Sequence, residues 1–180
     1  MSKPRISSDW LAGCSGCHMS LLDMDERIAT IAELTEICAT PVTDLKEPDP
    51  AGVDVGILEG SVSNTYNEEV AQRMRGRCKV LVALGDCAVF GGIPAMRNFF
   101  GYEAALRRAY IETESTDESG KIPDDPELAS PTDVRALSDV VKVDVFVPGC
   151  PPDADVIFYV LSELAQGRKP ELKGEKLQWH

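Results

Sequence analysis

The 180-residue sequence lacks long apolar runs and has few basic residues for its acidic content. No stretch approaches the roughly 18 consecutive apolar residues that a membrane-spanning helix needs. Lysine and arginine number 18 against 30 aspartates and glutamates, which gives a formal net charge of −12. Nucleic acids and anionic membrane surfaces repel a chain of that charge, so we expect neither as a partner.

A secretory signal is also missing from the start of the sequence. Residues 1–5 are Met-Ser-Lys-Pro-Arg, and no apolar segment followed by a small-residue cleavage site comes after them. We therefore expect a cytoplasmic protein. Because that compartment is reducing, disulfide pairing of the six cysteines is disfavoured, and metal binding becomes the leading explanation for those that cluster.

Histidine and phosphate-binding motifs are scarce as well. The two histidines are His18 and His180, too few to suggest a Ser–His–Asp arrangement, and we predict no catalytic residue in this chain. The sequence has neither a G-x-x-x-x-G-K-[ST] loop nor a G-x-G-x-x-G motif, so no phosphate-binding loop is expected. His18 directly follows Cys17. Two explanations of a histidine at this position are equally good: a hydrogen bond near a bound group, and a polar residue at the start of a helix.

Apolar runs typical of strands alternate with segments of helical periodicity along the chain. This alternation predicts parallel βαβ units and an α/β fold, a flavodoxin-like three-layer sandwich in one domain spanning 1–180. The predicted strands cover residues 5–11, 36–42, 53–58, 79–84 and 143–147. The predicted helices cover residues 18–35, 66–76 (capped by Asn64 or Thr65), 95–110 and 153–166. Residues 112–133 are acidic and polar, which indicates a long solvated loop insertion.

Four cysteines follow the carboxyl ends of predicted parallel strands. Cys14 and Cys17 form a C-x-x-C pair after the first strand, while Cys87 and Cys150 each follow an apolar strand with two residues between. Sites in open parallel sheets form beyond the carboxyl ends of the strands, so we expect these side chains to meet at one edge. Glycines flank them at positions 13, 16, 85 and 149, where they allow backbone to approach a bulky ion.

Four thiolates without histidine are typical of a [4Fe–4S] cluster, and we predict one at this edge on Cys14, Cys17, Cys87 and Cys150. A four-cysteine zinc site has the same ligand count but usually carries two closely spaced pairs. A redox dithiol at the C-x-x-C pair is a further alternative. Cys38 and Cys78 are interpreted as core residues. Glu59 is expected at the same edge, with a proton relay and a turn cap as equally good roles.

The motifs around these cysteines resemble those of nickel–iron hydrogenase small subunits and the related 20 kDa subunits of respiratory complex I. The resemblance covers nearly the whole chain. It is carried by residues 10–20 (WLAGCSGCHMS), 22–26 (LDMDE), 58–60 (LEG), 85–88 (GDCA) and 148–152 (PGCPP). The first two segments together are most similar to the soluble, bidirectional NAD-reducing type. Complex I relatives carry adjacent cysteines at the first site, whereas Gly16 precedes Cys17 here.

The resemblance implies one [4Fe–4S] cluster and an electron-transfer role. It places the family's proximal-cluster ligands on Cys14, Cys17, Cys87 and Cys150. It also implies a large partner subunit with the nickel–iron centre, and diaphorase subunits that hold FMN and further clusters and reduce NAD⁺. After Cys150 there is no cysteine, and the one later histidine is His180, so no second cluster is expected in this sequence. Other single-cluster hydrogenases, a complex I-type relay and a zinc-stabilised interaction domain are the alternatives.

Overall fold

A computed structural model describes residues 3–46 and 49–177, so His180 lies outside it. The strands are β1 (Arg5–Trp10), β2 (Glu36–Ala39), β3 (Val53–Glu59), β4 (Val62–Asn64), β5 (Cys78–Leu84), β6 (Pro131–Arg135) and β7 (Val145–Val147). Five of them form a sheet in the order β2-β1-β3-β5-β7, and every neighbouring pair is parallel. Numbered among themselves, these five strands follow the flavodoxin order 2-1-3-4-5, which confirms the predicted α/β fold.

Helices cover both faces of the sheet. They are α1 (Gly16–Leu22), α2 (Arg27–Leu34), α3 (Thr65–Arg77), α4 (Gly85–Phe90), α5 (Tyr102–Tyr110) and α6 (Ala154–Ala165), with 3₁₀ helices at Ile93–Phe99, Leu137–Asp139 and Gly174–Leu177. One core packs α6 and residues from the α1–α2 region against Ile57, Val82 and Val147. The other core packs α3 against Leu58 and Leu81. The three predicted layers are therefore present.

Two predicted helices are each interrupted in the structure. The helix predicted over 18–35 divides into α1 and α2 at a turn in which Asp25 has a φ of 53°, outside the helical range. That turn places Met24 in the core with 1% of its surface exposed. The helix predicted over 95–110 is a 3₁₀ helix followed by α5, and Gly101, with a φ of 78°, separates them.

Several element ends also differ from the prediction. β2 ends at Ala39 rather than at residue 42, since Pro41 has no N–H to donate to a sheet. β7 begins at Val145 rather than at residue 143. Residues 111–130 contain no helix or strand, but residues 131–133 of the predicted loop belong to β6, which pairs antiparallel with β4.

The start of α3 follows the predicted cap. The Asn64 side chain accepts a hydrogen bond from the Asn67 amide at 2.8 Å, which satisfies a backbone donor of the first helical turn. Among the residues that the structure describes, no helix is both long and apolar enough to cross a membrane.

Candidate metal centre

The structure brings the four predicted site cysteines to one pocket at the carboxyl edge of the sheet. Cys14 follows β1, Cys17 lies in α1, Cys87 lies in α4 directly after β5, and Cys150 follows β7. All four line the pocket, together with Glu59 and Asp86. Cys17 and Cys87 are partly buried, whereas Cys14 and Cys150 are exposed. The thiols are therefore gathered in a recess that opens onto the protein surface.

Glycines leave the space around these sulfurs open. A Cβ atom at Gly85, where φ is +84°, would collide with the Cys17 sulfur. A Cβ atom at Gly92 would lie 2.8 Å from the Cys87 sulfur, and one at Gly16 would lie 3.2 Å from the Cys14 sulfur. Side chains at these positions would fill the recess, so the glycines fit a bulky group bound by the thiols. Gly92 was not predicted as part of the site, because it lies five residues after the nearest cysteine.

The pocket is unfavourable for free thiolates. Burial raises the pKa of the Cys17 thiol, and the negative charge of Glu59 raises it further. Burial likewise raises the pKa of the Cys87 thiol. Four thiolates facing two carboxylates need positive charge between them, and iron ions supply it. The donor set and its surroundings therefore fit an iron–sulfur cluster.

A single metal ion fits the same side chains less well. Across residues 3–46 and 49–177, no three His, Cys, Asp or Glu side chains are grouped so as to hold one ion. A zinc ion needs its sulfur ligands at about 2.3 Å from one point, whereas a cubane spreads its four ligands over four corners. The arrangement of the cysteines around a recess favours the cluster.

Glu59 and His18 form a buried polar contact beside the pocket. Their exposed fractions are 2% and 1%. The Glu59 carboxylate accepts a hydrogen bond from the His18 backbone N–H at 2.7 Å. The His18 Nδ1 atom lies 3.0 Å from the same oxygen, but the geometry of this contact is not that of a hydrogen bond. The hydrogen bond between the two residues is therefore the one from the His18 backbone. Glu59 thus ties the Cys17 helix to the end of β3.

The far side of the His18 ring continues this polar chain. Its Nε2 atom lies 3.0 Å from the Ser8 hydroxyl, which donates to the Thr40 hydroxyl at 2.9 Å. His18 does lie in the first turn of α1, and its side chain is buried beside the pocket rather than at the surface. In the sequence, the one indication of this burial is that His18 lies between the C-x-x-C pair and an apolar stretch.

The other two cysteines lie away from the pocket. Cys78 is buried in the core, where its sulfur packs close to Gly56, as predicted. Cys38 is only partly buried, at the edge strand β2, and packs against the periphery of that core. Neither lines the recess around the four site cysteines.

Exposed apolar side chains lie next to the cysteine pocket. Phe90, Ile93, Met96, Phe99 and Phe100, here called the 90–100 surface, are between 57% and 85% exposed. A second pocket joins Ile93 to Cys14, Cys87 and Cys150, so this surface reaches the recess through Ile93. Apolar patches of this kind mark interaction sites.

Comparison with known families shows that residues 14–164 match the model of the NADH ubiquinone oxidoreductase 20 kDa subunit. The chain belongs to this family. It is 39% identical to subunit delta of the NAD-reducing hydrogenase HoxS of Cupriavidus necator, over 94% of this chain and 82% of that protein. It is 37% identical to one subunit of the F420-non-reducing hydrogenase of Methanothermobacter marburgensis, over 97% of this chain but 58% of that one.

Solved structures agree with the sequence relatives. A chain of an NAD⁺-reducing [NiFe]-hydrogenase in the H2-reduced state superposes with a TM-score of 0.93 and 37% identity, covering 99% of both chains. A chain of the [NiFeSe] hydrogenase of Desulfovibrio vulgaris Hildenborough, at 19% identity and a TM-score of 0.59, shares the fold over 90% of this chain and 59% of that one. The resemblance inferred from the cysteine motifs is confirmed.

Proposed function

We propose that this chain is the electron-transfer small subunit of a soluble NAD-reducing nickel–iron hydrogenase. One observation carries the proposal: four cysteines from three strand ends meet in one recess, in a chain similar over its full length to a chain of such an enzyme. Cys14, Cys17, Cys87 and Cys150 would hold one [4Fe–4S] cluster. When bound, the cluster accepts and releases one electron at a time.

The chain's own residues supply the frame for that group. The Glu59 carboxylate anchors the backbone beside Cys17, and Gly85, Gly16 and Gly92 keep the space around the sulfurs free. No catalytic residue is assigned here. Hydrogen would be split or formed at a nickel–iron centre in the large subunit, and NAD⁺ would be reduced at FMN in the diaphorase subunits. A cytoplasmic location is part of the same proposal.

The 90–100 surface supports the proposal that this chain is one subunit of a larger complex. A stable interface buries apolar side chains at its centre, and large exposed aromatic residues are typical of such a centre. Because Ile93 of this surface lines a pocket with three of the site cysteines, a partner bound there would lie beside the cluster. We assign that position to the large subunit, since electron transfer requires the two redox centres to be close.

The test is anaerobic purification of the tagged chain from its native cells, followed by an assay of hydrogen-dependent NAD⁺ reduction. We expect a large subunit and diaphorase subunits to co-purify, with the activity in the same fraction. Purification with a hydrogenase that reduces another acceptor would contradict the NAD-reducing assignment. An intact assembly without hydrogenase activity would contradict the proposal as a whole.

A further inference from the structure

Asp86 joins two of the loops that carry site cysteines. Its carboxylate oxygen Oδ1 accepts a hydrogen bond from the Gly149 N–H at 2.7 Å. Its own backbone N–H donates to the Gly149 carbonyl at 2.9 Å. Cys87 directly follows Asp86, and Cys150 directly follows Gly149. These two hydrogen bonds therefore join the segment after β5 to the segment after β7, directly beside Cys87 and Cys150.

The backbone conformation of Gly149 fixes the position of its N–H and carbonyl groups. Its φ of 137° suits glycine, and a Cβ atom there would lie 2.5 Å from the Pro152 Cα atom. The neighbouring chain holds the Gly149 N–H in place, and Asp86 supplies its acceptor. Without that acceptor, the spacing between Cys87 and Cys150 would rest on the β5–β7 pairing that ends at Leu84 and Val147 and on the one remaining hydrogen bond between Asp86 and Gly149.

Asp86 also contributes charge to the recess. Among the described residues that line the cysteine pocket, two carry a charged side chain, Glu59 and Asp86, and both are acidic. Reduction adds an electron to a cluster that four thiolates already make negative. A carboxylate at the pocket wall opposes this addition, and local net charge is one of the factors that set cluster potentials.

We propose that Asp86 is a positioning residue with a separate electrostatic role. Its Oδ1 atom sets the spacing of Cys87 and Cys150, and its negative charge lowers the reduction potential of the cluster. This inference rests on the proposed function, since it requires a cluster on these cysteines. Hydrogen-bond partners behind metal ligands commonly determine how firmly the metal is held.

Two substitutions separate the roles. Asp86→Asn keeps an oxygen acceptor for the Gly149 N–H but removes the negative charge. Asp86→Ala removes both. Glu33→Gln is the control for the change of charge alone, because Glu33 lies exposed on α2, away from the recess.

The experiment compares the purified cluster-loaded complexes of the wild type and the three variants. Iron release to a chelator measures how firmly the cluster is held, and an EPR-monitored redox titration measures its potential. We expect Asp86→Ala to release iron on the order of 10-fold faster than the wild type. Asp86→Asn should release iron at the wild-type rate, with a reduction potential shifted upward. Glu33→Gln should match the wild type in both measurements.

Three results would overturn the inference. Wild-type iron release in Asp86→Ala would refute the positioning role, and rapid release in Asp86→Asn would show that the hydrogen-bond acceptor is not what matters. An unchanged potential in Asp86→Asn would refute the electrostatic role. A wild-type complex without an iron–sulfur cluster would instead refute the proposed function, so the two failures are distinguishable. If Asp86→Ala does not assemble while Asp86→Asn assembles and releases iron at the wild-type rate, assembly requires the hydrogen-bond acceptor, which supports the positioning role. Rapid iron release in Asp86→Asn would still refute that role.

Discussion

At the scale of single residues, the surroundings of the six cysteines follow from their positions relative to the strands. Cys87 lines the recess and Cys78 packs in the core, although both lie at an end of the same strand. The strand pattern predicted this difference, because one residue follows the carboxyl end of β5 and the other begins it. The burial of His18 could not be predicted, since it depends on Ser8 and Glu59, which approach it only in the folded chain.

Cys87→Ala and Cys78→Ala form a matched pair for the site assignment. Cys87→Ala should remove a cluster ligand, and the purified chain should lose most of its iron and sulfide. Cys78→Ala should cost only packing, about 1 kcal/mol of unfolding free energy, and keep its iron. Metal analysis and denaturant unfolding check both variants. Loss of the cluster in Cys78→Ala would show that the assignment is wrong.

The buried thiols predict a pH dependence for the metal-free chain. Burial raises the pKa of Cys17, Cys78 and Cys87, so the folded chain retains protons that the unfolded chain releases above about pH 8.5. Stability from these neutral thiols is fully present below that pH and declines as the pH rises further.

Denaturant unfolding of the metal-free chain between about pH 7 and about pH 9.5 measures this effect. Its unfolding free energy should fall across the upper half of the range, and Cys78→Ala should reduce the slope. A stability that increases with pH would contradict the explanation.

At the scale of elements, the apolar runs predicted all five strands of the parallel sheet and their shared carboxyl edge. Helix continuity was predicted less well. The turn at Asp25 accompanies the burial of Met24 in the core, a tertiary contact that helical periodicity does not predict. The pairing of β4 with β6 was missed for a related reason: β6 is polar and short, and its partner lies about 70 residues earlier in the sequence.

Gly85→Ala tests whether the strand-to-helix turn after β5 is shaped for the site. Gly85 has a φ of +84°, and its added Cβ would collide with the Cys17 sulfur, so we expect loss of the cluster. Gly76→Ala is the control, because a Cβ there meets nothing within 4 Å. Gly76 lies in α3, where alanine should stabilise the fold by up to about 1 kcal/mol. A normal iron content in Gly85→Ala would argue against a cluster in contact with this turn.

At the scale of the whole molecule, a strongly acidic chain carries an apolar surface next to its cysteine recess. This combination suits a subunit that is covered by a partner at one edge and repels non-specific anionic surfaces elsewhere. Sequence periodicity could not predict that the apolar residues of the 90–100 surface are exposed, because the same residue types would be expected in a helix that packs in the core.

Phe99→Ser should weaken assembly without affecting the cluster. Phe99 is 85% exposed in the 90–100 surface, and losing a central aromatic residue typically costs more than about 1 kcal/mol, about fivefold or more in affinity. Leu128→Ser, which changes a 54% exposed apolar residue in the acidic segment, is the control. Co-purification yields of the large subunit compare the two. Equal yields from both variants would place the interface elsewhere.

Iron, zinc and acid-labile sulfide analysis of the purified chain, with an EPR spectrum after dithionite reduction, tests the central claim most directly. We expect about four irons and four sulfides per chain, with the signal of a reduced [4Fe–4S] cluster. Zinc without sulfide, and no EPR signal, would contradict the cluster assignment and leave a metal-stabilised interaction domain.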